Sequence, residues 1–505
     1  MRRRRLGHAG DCKGAPGTLG APRILAGMTS ELRLLADQAF ARAAGAPLVH
    51  GNALRILCDA AENYPAWLEA IAGARRCVHF ESYILTEDAV GERFARALVE
   101  KATAGVPVRL VYDWMGGLGK TSRRFWKRLR AGGVDVRCYN PPRLDEPLGW
   151  LSRDHRKCMV VDGALAFVTG LCVGQPWEGD PARHLDPWRD TGVELRGPGV
   201  ADVARAFADT WAACGDPLPA SELPAPGTPA PAGQIALRVV AANPGTAGLF
   251  RLDTLVAALA RRSLWLTDAY YAGTSTYAQA LRAAARDGVD VRLLVPGQGS
   301  DIKVVQAISR GGYRPLLEAG VRVFEWNGPM LHAKTAVADG RWARVGSTNL
   351  NVASWIGNRE LDVVVEDDGF GRQMEAMYEK DLTKATEVVL NWRRRVRPAG
   401  DVLSRRTRGG GGSAGRAAAG ALRLGNALGS ALSPRRIHGD AERRLLLGGG
   451  FSLLALALLG LLWPKVLAWP LGAFCLWLGS ALVFRASKGR KPTSPPVRTG
   501  APPAL

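Results

Sequence analysis

The middle of the chain repeats one pattern of hydrophobic and polar positions. Ala- and Arg-rich stretches with helical spacing, at 94–104 and 277–287, each end in Gly-Val and lead into an apolar run of strand length. Gly-Val opens similar runs at 133–137 and 320–323. A helix, a glycine turn and a buried strand together form the unit of α/β proteins. The pattern therefore predicts an α/β fold in two similar halves, each a sheet flanked by helices.

Changes in composition divide the chain further. The stretch at 215–233 is rich in Pro and Ala, which is typical of a linker. An amphipathic pattern begins at Ser30, and Met28 is an alternative start, because the preceding residues do not form a secretory signal. In chain order we predict a basic N-terminal arm with an amphipathic helix (1–47), a first α/β domain (48–214), a Pro-rich linker (215–233), a second α/β domain (234–392), a basic Gly/Ala/Arg-rich linker (393–444), a hydrophobic hairpin (445–484) and a basic Pro-rich tail (485–505).

The C-terminal region contains two apolar stretches without a charge, 445–463 and 466–484, separated by Pro464 and Lys465. As a helix, each stretch would extend about 28 Å, close to the hydrocarbon thickness of a bilayer. Basic residues flank both outer ends, so the positive-inside rule places both in the cytoplasm. We predict a transmembrane helical hairpin. A shallow re-entrant hairpin and a soluble apolar helix pair are the alternatives.

Charge is distributed unevenly along the chain. The formal net charge is +21, and arginines are concentrated in 393–444, directly before the apolar stretches. Basic residues beside a membrane segment attract anionic lipid, each by about 1 kcal/mol near the surface. This arrangement favours an anionic membrane as partner over nucleic acid, with a solvated tail as the alternative. The eight cysteines show no pairing pattern, which is typical of a reducing cytoplasm.

Two polar triplets with the same spacing, His-x-Lys-x-x-x-x-Asp, stand at strand-like runs. In each triplet the apolar and β-branched residues gather after the Lys, and Asp-Gly then gives a hairpin signal. Alternate residues of a strand share a face, so each His lies beside its Lys, whereas the Asp falls at the turn and favours a structural role. Both triplets are the candidate catalytic residues: His155, Lys157 and Asp162, and His332, Lys334 and Asp339.

Two imidazoles with two ammonium groups suit displacement at a phosphodiester. Fixed cations stabilise the phosphate oxygens, one imidazole can attack phosphorus, and the other can exchange protons with the leaving and entering alcohols. A zinc site is disfavoured because Lys is a poor ligand and no His-Glu-x-x-His or paired Cys-x-x-Cys occurs. The expectation is therefore a site without metal or cofactor, built from two halves.

The duplicated triplet resembles the signature of the phospholipase D superfamily, and residues 48–390 are most similar to bacterial cardiolipin synthases. The second copy is followed by the family's Gly-Ser-x-Asn, at Gly346 to Asn349. The first copy departs, because Cys172 stands where the family usually has Asn. The resemblance implies two phospholipase D-like α/β/α sandwich halves with the active site at their interface.

The resemblance also implies roles for individual residues. It makes His155 the nucleophile and His332 the general acid and base, with the reverse order as the alternative. Asp190 and Glu360 follow the two motifs, and the family suggests that they accept hydrogen bonds from the catalytic imidazoles; solvated carboxylates at strand ends are the alternative. The last of these expectations concerns phosphate binding, which the family assigns to Ser347 and Asn349.

The expected function is cardiolipin synthesis at the cytoplasmic face of a bacterial inner membrane. Two phosphatidylglycerol molecules would give cardiolipin and glycerol through a phosphohistidine intermediate. Trp114, Trp150 and Trp177 are candidates for shielding the site from water, with core packing as the alternative. Hydrolysis by a phospholipase D, a nuclease and a non-catalytic membrane scaffold are the competing interpretations. The sequence leaves the oligomeric state open.

Overall fold

The structure is a computed structural model that describes residues 30–142, 152–225, 227–390 and 396–398, with scattered positions between 451 and 480. Its main body is a mixed α/β fold around one large sheet. The α-helices of the described residues are α1 Ser30–Ala44, α2 Asp59–Gly73, α3 Ala89–Thr103, α4 Trp114–Gly117, α5 Arg123–Ala131, α6 Gln175–Glu178, α7 Val200–Ala213, α8 Gly248–Leu259, α9 Ser275–Arg286, α10 Lys303–Leu317 and α11 Asp368–Leu382.

The strands alternate with these helices along the chain. They are β1 Val49–Cys58, β2 Val78–Ser82, β3 Val108–Asp113, β4 Asp135–Tyr139, β5 Lys157–Val161, β6 Leu165–Thr169, β7 Thr191–Arg196, β8 Ile235–Ala242, β9 Ser263–Thr267, β10 Asp290–Pro296, β11 Arg322–Trp326, β12 Thr335–Ala338, β13 Trp342–Gly346, β14 Glu360–Glu366, β15 Ala385–Leu390 and β16 Val396–Pro398.

The four Gly-Val positions of the sequence pattern lie in the turns that lead into β3, β4, β10 and β11. Gly105, Gly133, Gly288 and Gly320 all have φ between 85° and 95°. Glycine adopts this left-handed region without a steric penalty, so it ends the preceding helix and lets the chain enter the sheet. The helix-to-strand pattern expected from the sequence is thus present at all four places.

The sixteen strands form one sheet in which both halves have the same strand order. The order is β16-β15-β11-β10-β9-β12-β13-β14-β8-β1-β7-β6-β5-β2-β3-β4. Each half has three parallel strands on its outer side, β2 to β4 in the first half and β9 to β11 in the second, where β15 and β16 lie beyond them. Antiparallel strands follow toward the centre. The halves join through an antiparallel pair of β1 and β8, with Val49 opposite Leu237. The sheet is therefore continuous, whereas the sequence pattern predicts a separate sheet for each half.

The inner strands of the two halves also share one hydrophobic core. Side chains from β5 to β7, such as Val160 and Val193, pack in one cluster with side chains from β12 to β14, such as Val345 and Val363. Helices α7 and α11 contribute to the same cluster. Both motif strands, β5 and β12, thus belong to the interface between the halves, which brings the ends of these strands together.

The predicted hydrophobic hairpin falls mostly outside the described residues. No helix among the described residues has the length and apolar character needed to cross a membrane. The described positions at 451–480 are helical, and several carry exposed apolar side chains, including Phe451, Leu461, Trp469 and Leu476. The hairpin remains a prediction.

Candidate active site

Each motif histidine stands immediately before a short buried strand. His155 lies two residues before β5, which leads to the turn at Asp162. His332 has the corresponding position before β12, which leads to the turn at Asp339. In the first turn φ is 55° at Asp162 and 65° at Gly163. In the second turn φ is 54° at Asp339 and 66° at Gly340. Two successive residues with positive φ give the hairpin turn that matches strand twist, which explains the Asp-Gly sequence.

Backbone hydrogen bonds across the interface align each histidine with a segment of the other half. The His155 N–H donates to the Arg359 carbonyl at 2.9 Å, and the His332 N–H donates to the Arg189 carbonyl at 2.7 Å. The residue after each arginine is a carboxylate, Glu360 in one case and Asp190 in the other. The carboxylates are thereby exchanged between the halves.

The two imidazoles consequently pair with carboxylates from the opposite half. Nδ1 of His155 lies 2.9 Å from Oε2 of Glu360, and Nδ1 of His332 lies 2.6 Å from Oδ2 of Asp190. A carboxylate accepts a hydrogen bond from Nδ1–H, which fixes the tautomer and leaves the lone pair on Nε2. Neither half contains a complete pair, so the arrangement exists only when both halves are assembled.

Both imidazoles are neutral in this environment. Burial and the adjacent Lys157 and Lys334 charges lower the pKa of His155 well below its ordinary value. Burial and Lys334, whose Nζ lies 2.9 Å from Nδ1, lower the pKa of His332 to about 3 despite the opposing effect of Asp190. A neutral imidazole with a free Nε2 lone pair is a nucleophile or a base.

The pKa values of the two carboxylates shift in opposite directions. Burial alone would raise the pKa of Asp190, but His332 and Lys334 hold it below its ordinary value, so this group is ionised. Burial raises the pKa of Glu360, against the effect of Lys157 and a hydrogen bond from Ser347. Asp190 is therefore the stronger partner for an imidazolium, which favours His332 as the imidazole that carries a proton during the reaction.

The two lysines lie beside the imidazoles and against tyrosine rings. Lys157 Nζ stands 4.9 Å from the Tyr83 ring centroid, and Lys334 Nζ stands 5.8 Å from that of Tyr270. Both ammonium groups donate to the carbonyl of their own motif histidine. Burial, with Lys157 nearby, lowers the pKa of Lys334 to about 8. Both ammonium groups are buried, and none of the described carboxylates forms an ion pair with either of them, so they can receive an anion.

The residues after the second motif divide between two tasks. The Ser347 hydroxyl donates to Oε2 of Glu360 at 2.6 Å and accepts from the Leu361 N–H, so it positions the carboxylate. Its expected contact with phosphate stays a prediction. Asn349 is buried, and its Oδ1 has no hydrogen-bond partner among the described residues. Phosphate oxygens are acceptors, so the group that could contact them is the Asn349 Nδ2, whose hydrogen bond to Ser354 Oγ is long at 3.5 Å. Its counterpart Cys172 is fully buried, and burial raises the pKa of its thiol.

The motif aspartates lie far from the imidazoles, at the other end of the strands. Asp339 stands five positions after Lys334, with the four residues of β12 between them, a rise of about 17 Å. The Asp339 carboxylate accepts hydrogen bonds from the backbone N–H groups of residues 261–263. The Asp162 carboxylate accepts hydrogen bonds from those of residues 75–77. Both were included among the candidate catalytic residues. These contacts assign them instead to holding the hairpin against the neighbouring strand.

Several aromatic residues border the imidazoles, and the sequence reasoning had missed most of them. The Tyr83 ring packs edge-on against His155 at 4.9 Å, and Tyr270 against His332 at 5.9 Å. Their equivalent positions, just after buried β2 and β9, are the signal that could have found them. Trp177, expected near the site, donates from Nε1 to Asp190 and lies 5.5 Å from the His332 ring, while Trp188 lies 5.8 Å away. Trp150 lies outside the described residues.

The chain is similar to known proteins. The family model described as cardiolipin synthase, PLD-like domain, matches residues 67–172 and 256–382, one motif in each segment. The cardiolipin synthase A of Pseudomonas aeruginosa is 36% identical over 371 residues, which cover 71% of this chain and 73% of the relative. A cardiolipin synthase of a Geobacillus species is 31% identical over 346 residues, 68% of each chain. The solved structure of phosphatidylserine synthase from Haemophilus influenzae Rd KW20 covers 69% of this chain and 91% of its own, with a TM-score of 0.55 and 13% identity, a likeness of fold alone.

Proposed function

This chain belongs to the cardiolipin synthase family of phospholipase D-like proteins, and we propose that it transfers a phosphatidyl group from one phosphatidylglycerol to another, giving cardiolipin and glycerol. The observation that carries the proposal is the exchanged pair of imidazoles and carboxylates, with a buried ammonium group beside each imidazole. The transfer needs a nucleophile, a proton carrier and fixed positive charge, and these groups supply all three.

In the first step, Nε2 of His155 attacks the phosphorus of the donor lipid. The P–N bond forms as the bond from phosphorus to the oxygen of the headgroup glycerol breaks. His332 gives its proton to that oxygen, and free glycerol leaves. An entering phosphodiester anion offsets the lysine charges that lower the His332 pKa. Ionised Asp190 stabilises the imidazolium, so His332 can carry the proton once substrate is bound.

In the second step, the roles of the groups reverse. His332 takes the proton from a hydroxyl of the second phosphatidylglycerol, whose oxygen attacks the phosphohistidine. The P–N bond breaks and His155 returns to its neutral form. Lys157, Lys334 and the Asn349 amide hold the phosphate oxygens through both steps, and Ser347 acts through Glu360.

A membrane location follows from the same substrate chemistry. Both lipids reside in a bilayer and are anionic, so the arginine-rich linker at 393–444 would concentrate them near the site. We place the protein at the bacterial cytoplasmic membrane, anchored by the hairpin at 445–484, with the two phospholipase D-like domains at 48–214 and 234–392 facing the cytoplasm. No metal or cofactor takes part in the proposed reaction.

The test is product identification with phosphatidylglycerol as the only lipid. Purified, detergent-solubilised protein should form cardiolipin and free glycerol in equal amounts, measured by mass spectrometry, and His155→Ala or Lys334→Ala should abolish both. His50→Ala changes an exposed histidine far from the motifs and serves as control. Phosphatidic acid as the sole product would establish hydrolysis instead, and no turnover by folded protein would contradict the proposal.

A further inference from the structure

Exposed apolar side chains are few in the described main body. Most of them lie at the end of the sheet where the two imidazoles reach the surface, which we call the opening. Six large apolar side chains are exposed in the described residues up to 390. Two of them, Leu259 and Val389, lie elsewhere on the surface. The other four follow strands β3, β6, β10 and β13 at the end where the motif histidines lie, and we call them the rim tips: Leu118, Leu185, Val304 and Ile356.

Leu118 is connected to the site through Tyr83. It directly follows α4, and this helix packs so closely on Tyr83 that a Cβ at Gly116 would lie 1.8 Å from the Tyr83 carbonyl oxygen. The Tyr83 ring in turn contacts both the His155 ring and Lys157. Leu118 is therefore linked to the first imidazole through α4 and Tyr83.

Val304 is connected to the second imidazole in a similar way. It follows Asp301, which accepts a hydrogen bond from the Tyr270 hydroxyl at 3.0 Å, and the Tyr270 ring packs against His332. Lys334 and Lys120 both act electrostatically on the Asp301 carboxylate. Lys120 comes from the first half, two residues after Leu118, so both halves meet at this side of the opening.

The remaining rim tips lie on loops that contact the site from the other sides. Leu185 lies in the loop between Trp177 and Trp188, whose rings flank His332. Its carbonyl accepts a hydrogen bond from the Asp180 N–H. Ile356 precedes Gly357, whose carbonyl accepts from the Ser152 hydroxyl three residues before His155. The four tips thus come from four loops around one pair of histidines.

The loops at this end of the sheet and the first turns of α5 and α10 together carry an excess of exposed positive charge. Cations outnumber anions by five to three, and one of the anions, Glu87, already accepts the Ser122 N–H at the start of α5. The exposed cations are Lys120, Arg123, Arg124, Arg183 and Lys303, and the exposed anions are Glu87, Asp186 and Asp301.

We propose that the rim tips and these cations form a docking surface for a bilayer that contains anionic phospholipid, with the tips inserted among the acyl chains. Apolar side chains that project between cations match the boundary of an anionic bilayer, whereas a purely polyanionic partner would leave them in water. His155 and His332 are only 8% and 5% exposed, so a lipid headgroup has to be presented at the opening. The inference depends on the proposed function for the choice of lipid, but the docking can be measured without catalysis.

Insertion depth tests the docking directly. In full-length protein with Cys12→Ser and Cys475→Ser, a spin label would be attached at Leu118→Cys, Leu185→Cys, Val304→Cys or Ile356→Cys. Leu259→Cys is the matched control, since Leu259 is 50% exposed and precedes the Arg261 and Arg262 backbone groups that bind Asp339, at the opposite edge of the sheet.

We expect the rim labels to be accessible to oxygen and protected from a water-soluble nickel complex in phosphatidylglycerol-rich vesicles, and the Leu259 label to remain accessible to nickel. Rim labels as accessible to nickel as the control would overturn the proposal. Equal insertion into pure phosphatidylcholine vesicles would overturn its anionic part. Protection by single-stranded DNA but not by vesicles would replace the bilayer with a polyanion.

A charge reversal separates docking from catalysis. Lys120→Glu should lower the rate on phosphatidylglycerol vesicles at least tenfold and leave the rate on monomeric short-chain phosphatidylglycerol unchanged. Arg286→Glu, an exposed change in the last turn of α9 at the opposite edge, should alter neither rate. An equal loss on both substrates would contradict docking. No turnover of monomeric lipid by the unmodified protein would instead refute the proposed function, and the label result would stand.

Discussion

At the scale of single residues, the two halves of the site are similar in geometry, but the pKa values of their carboxylates shift in opposite directions. Each imidazole has a carboxylate from the other half, a lysine from its own half and a tyrosine ring at its side. Asp190 is ionised next to His332, whereas burial raises the pKa of Glu360 next to His155. This difference favours His332 as the proton carrier, which is the order expected from the sequence, and the order remains a prediction.

The first prediction compares the two carboxylates. Asp190→Asn removes the charge that stabilises the His332 imidazolium, so kcat should fall by about 10³-fold or more. Glu360→Gln keeps acceptors for Ser347 and His155, and its loss should be nearer 10- to 100-fold. Steady-state kinetics on phosphatidylglycerol measure both. A larger loss for Glu360→Gln would reverse the assignment of the two histidines.

The second prediction concerns pH. Because the Lys334 pKa is lowered to about 8, raising the pH through 8 removes a cation that holds the phosphate, and kcat/KM should fall on the alkaline side. Bound anionic substrate favours the charged ammonium, so the fall in kcat should occur at higher pH than the fall in kcat/KM. Lys334→Arg should lose the alkaline fall in this range. A wild-type profile of kcat/KM that stays flat to pH 10 would contradict the assigned role.

The sequence was informative about which residues carry the chemistry, and less so about their partners. The spacing of His155 and Lys157 places both on one strand face, which local periodicity can predict. The exchange of Asp190 and Glu360 between halves depends on hydrogen bonds of Arg189 and Arg359 across the interface, and no local pattern encodes such contacts. The structural task of Ser347 was missed for the same reason.

At the scale of elements, the two Asp-Gly hairpins show why each motif ends in aspartate. Asp339 has φ of 54° and binds three successive backbone N–H groups, which ties the β12–β13 turn to the start of β9. Asp162 does the same at the start of β2. The catalytic end of each strand is thereby fixed from the opposite end.

The third prediction follows from this arrangement. Asp339→Ala leaves the backbone donors without their acceptor and should lower the free energy of unfolding by about 1–3 kcal/mol. The rate per folded molecule should remain within a few-fold of wild type. Asp209→Ala, at an exposed position of α7, is the control. Denaturation curves and active-site titration would measure the two effects, and a large loss of kcat with unchanged stability would support a catalytic Asp339.

At the scale of the whole molecule, one arginine links the two halves beside the site. Arg189 Nε binds Asp381 of the second half at 2.8 Å, and Nη1 lies 3.2 Å from Asp59 of the first half. Its backbone pairs with Met330 and His332, which places the next residue, Asp190, against the imidazole. Assembly of the halves and assembly of the site are therefore the same event.

The fourth prediction tests that link. Arg189→Ala leaves buried Asp381 without its partner and should cost about 3–5 kcal/mol of stability, with loss of activity as Asp190 shifts. Arg55→Ala removes an exposed ion pair with Glu194 and should cost less than about 1 kcal/mol. Chemical denaturation of both variants provides the comparison. Similar small losses would mean that Arg189 does not hold the halves together.

The overall architecture was predictable in class and not in detail. Helix and strand periodicity with Gly-Val turns indicated an α/β fold in two halves, and the strand order of the halves agrees with this. The continuous sheet was not predicted, because it depends on β1 pairing with β8, and edge pairing leaves no trace in periodicity. The hydrophobic hairpin at 445–484 lies mostly outside the described residues and remains a prediction.

The central claim is that two incomplete halves form one site that transfers a phosphatidyl group through His155. The most direct measurement is mass spectrometry of the intact protein and its peptides after rapid mixing with phosphatidylglycerol and quenching at alkaline pH, where phosphohistidine survives. A phosphatidyl adduct on the peptide that contains His155, absent in His155→Ala, is the predicted result. Turnover without an adduct on either His155 or His332 would contradict the account.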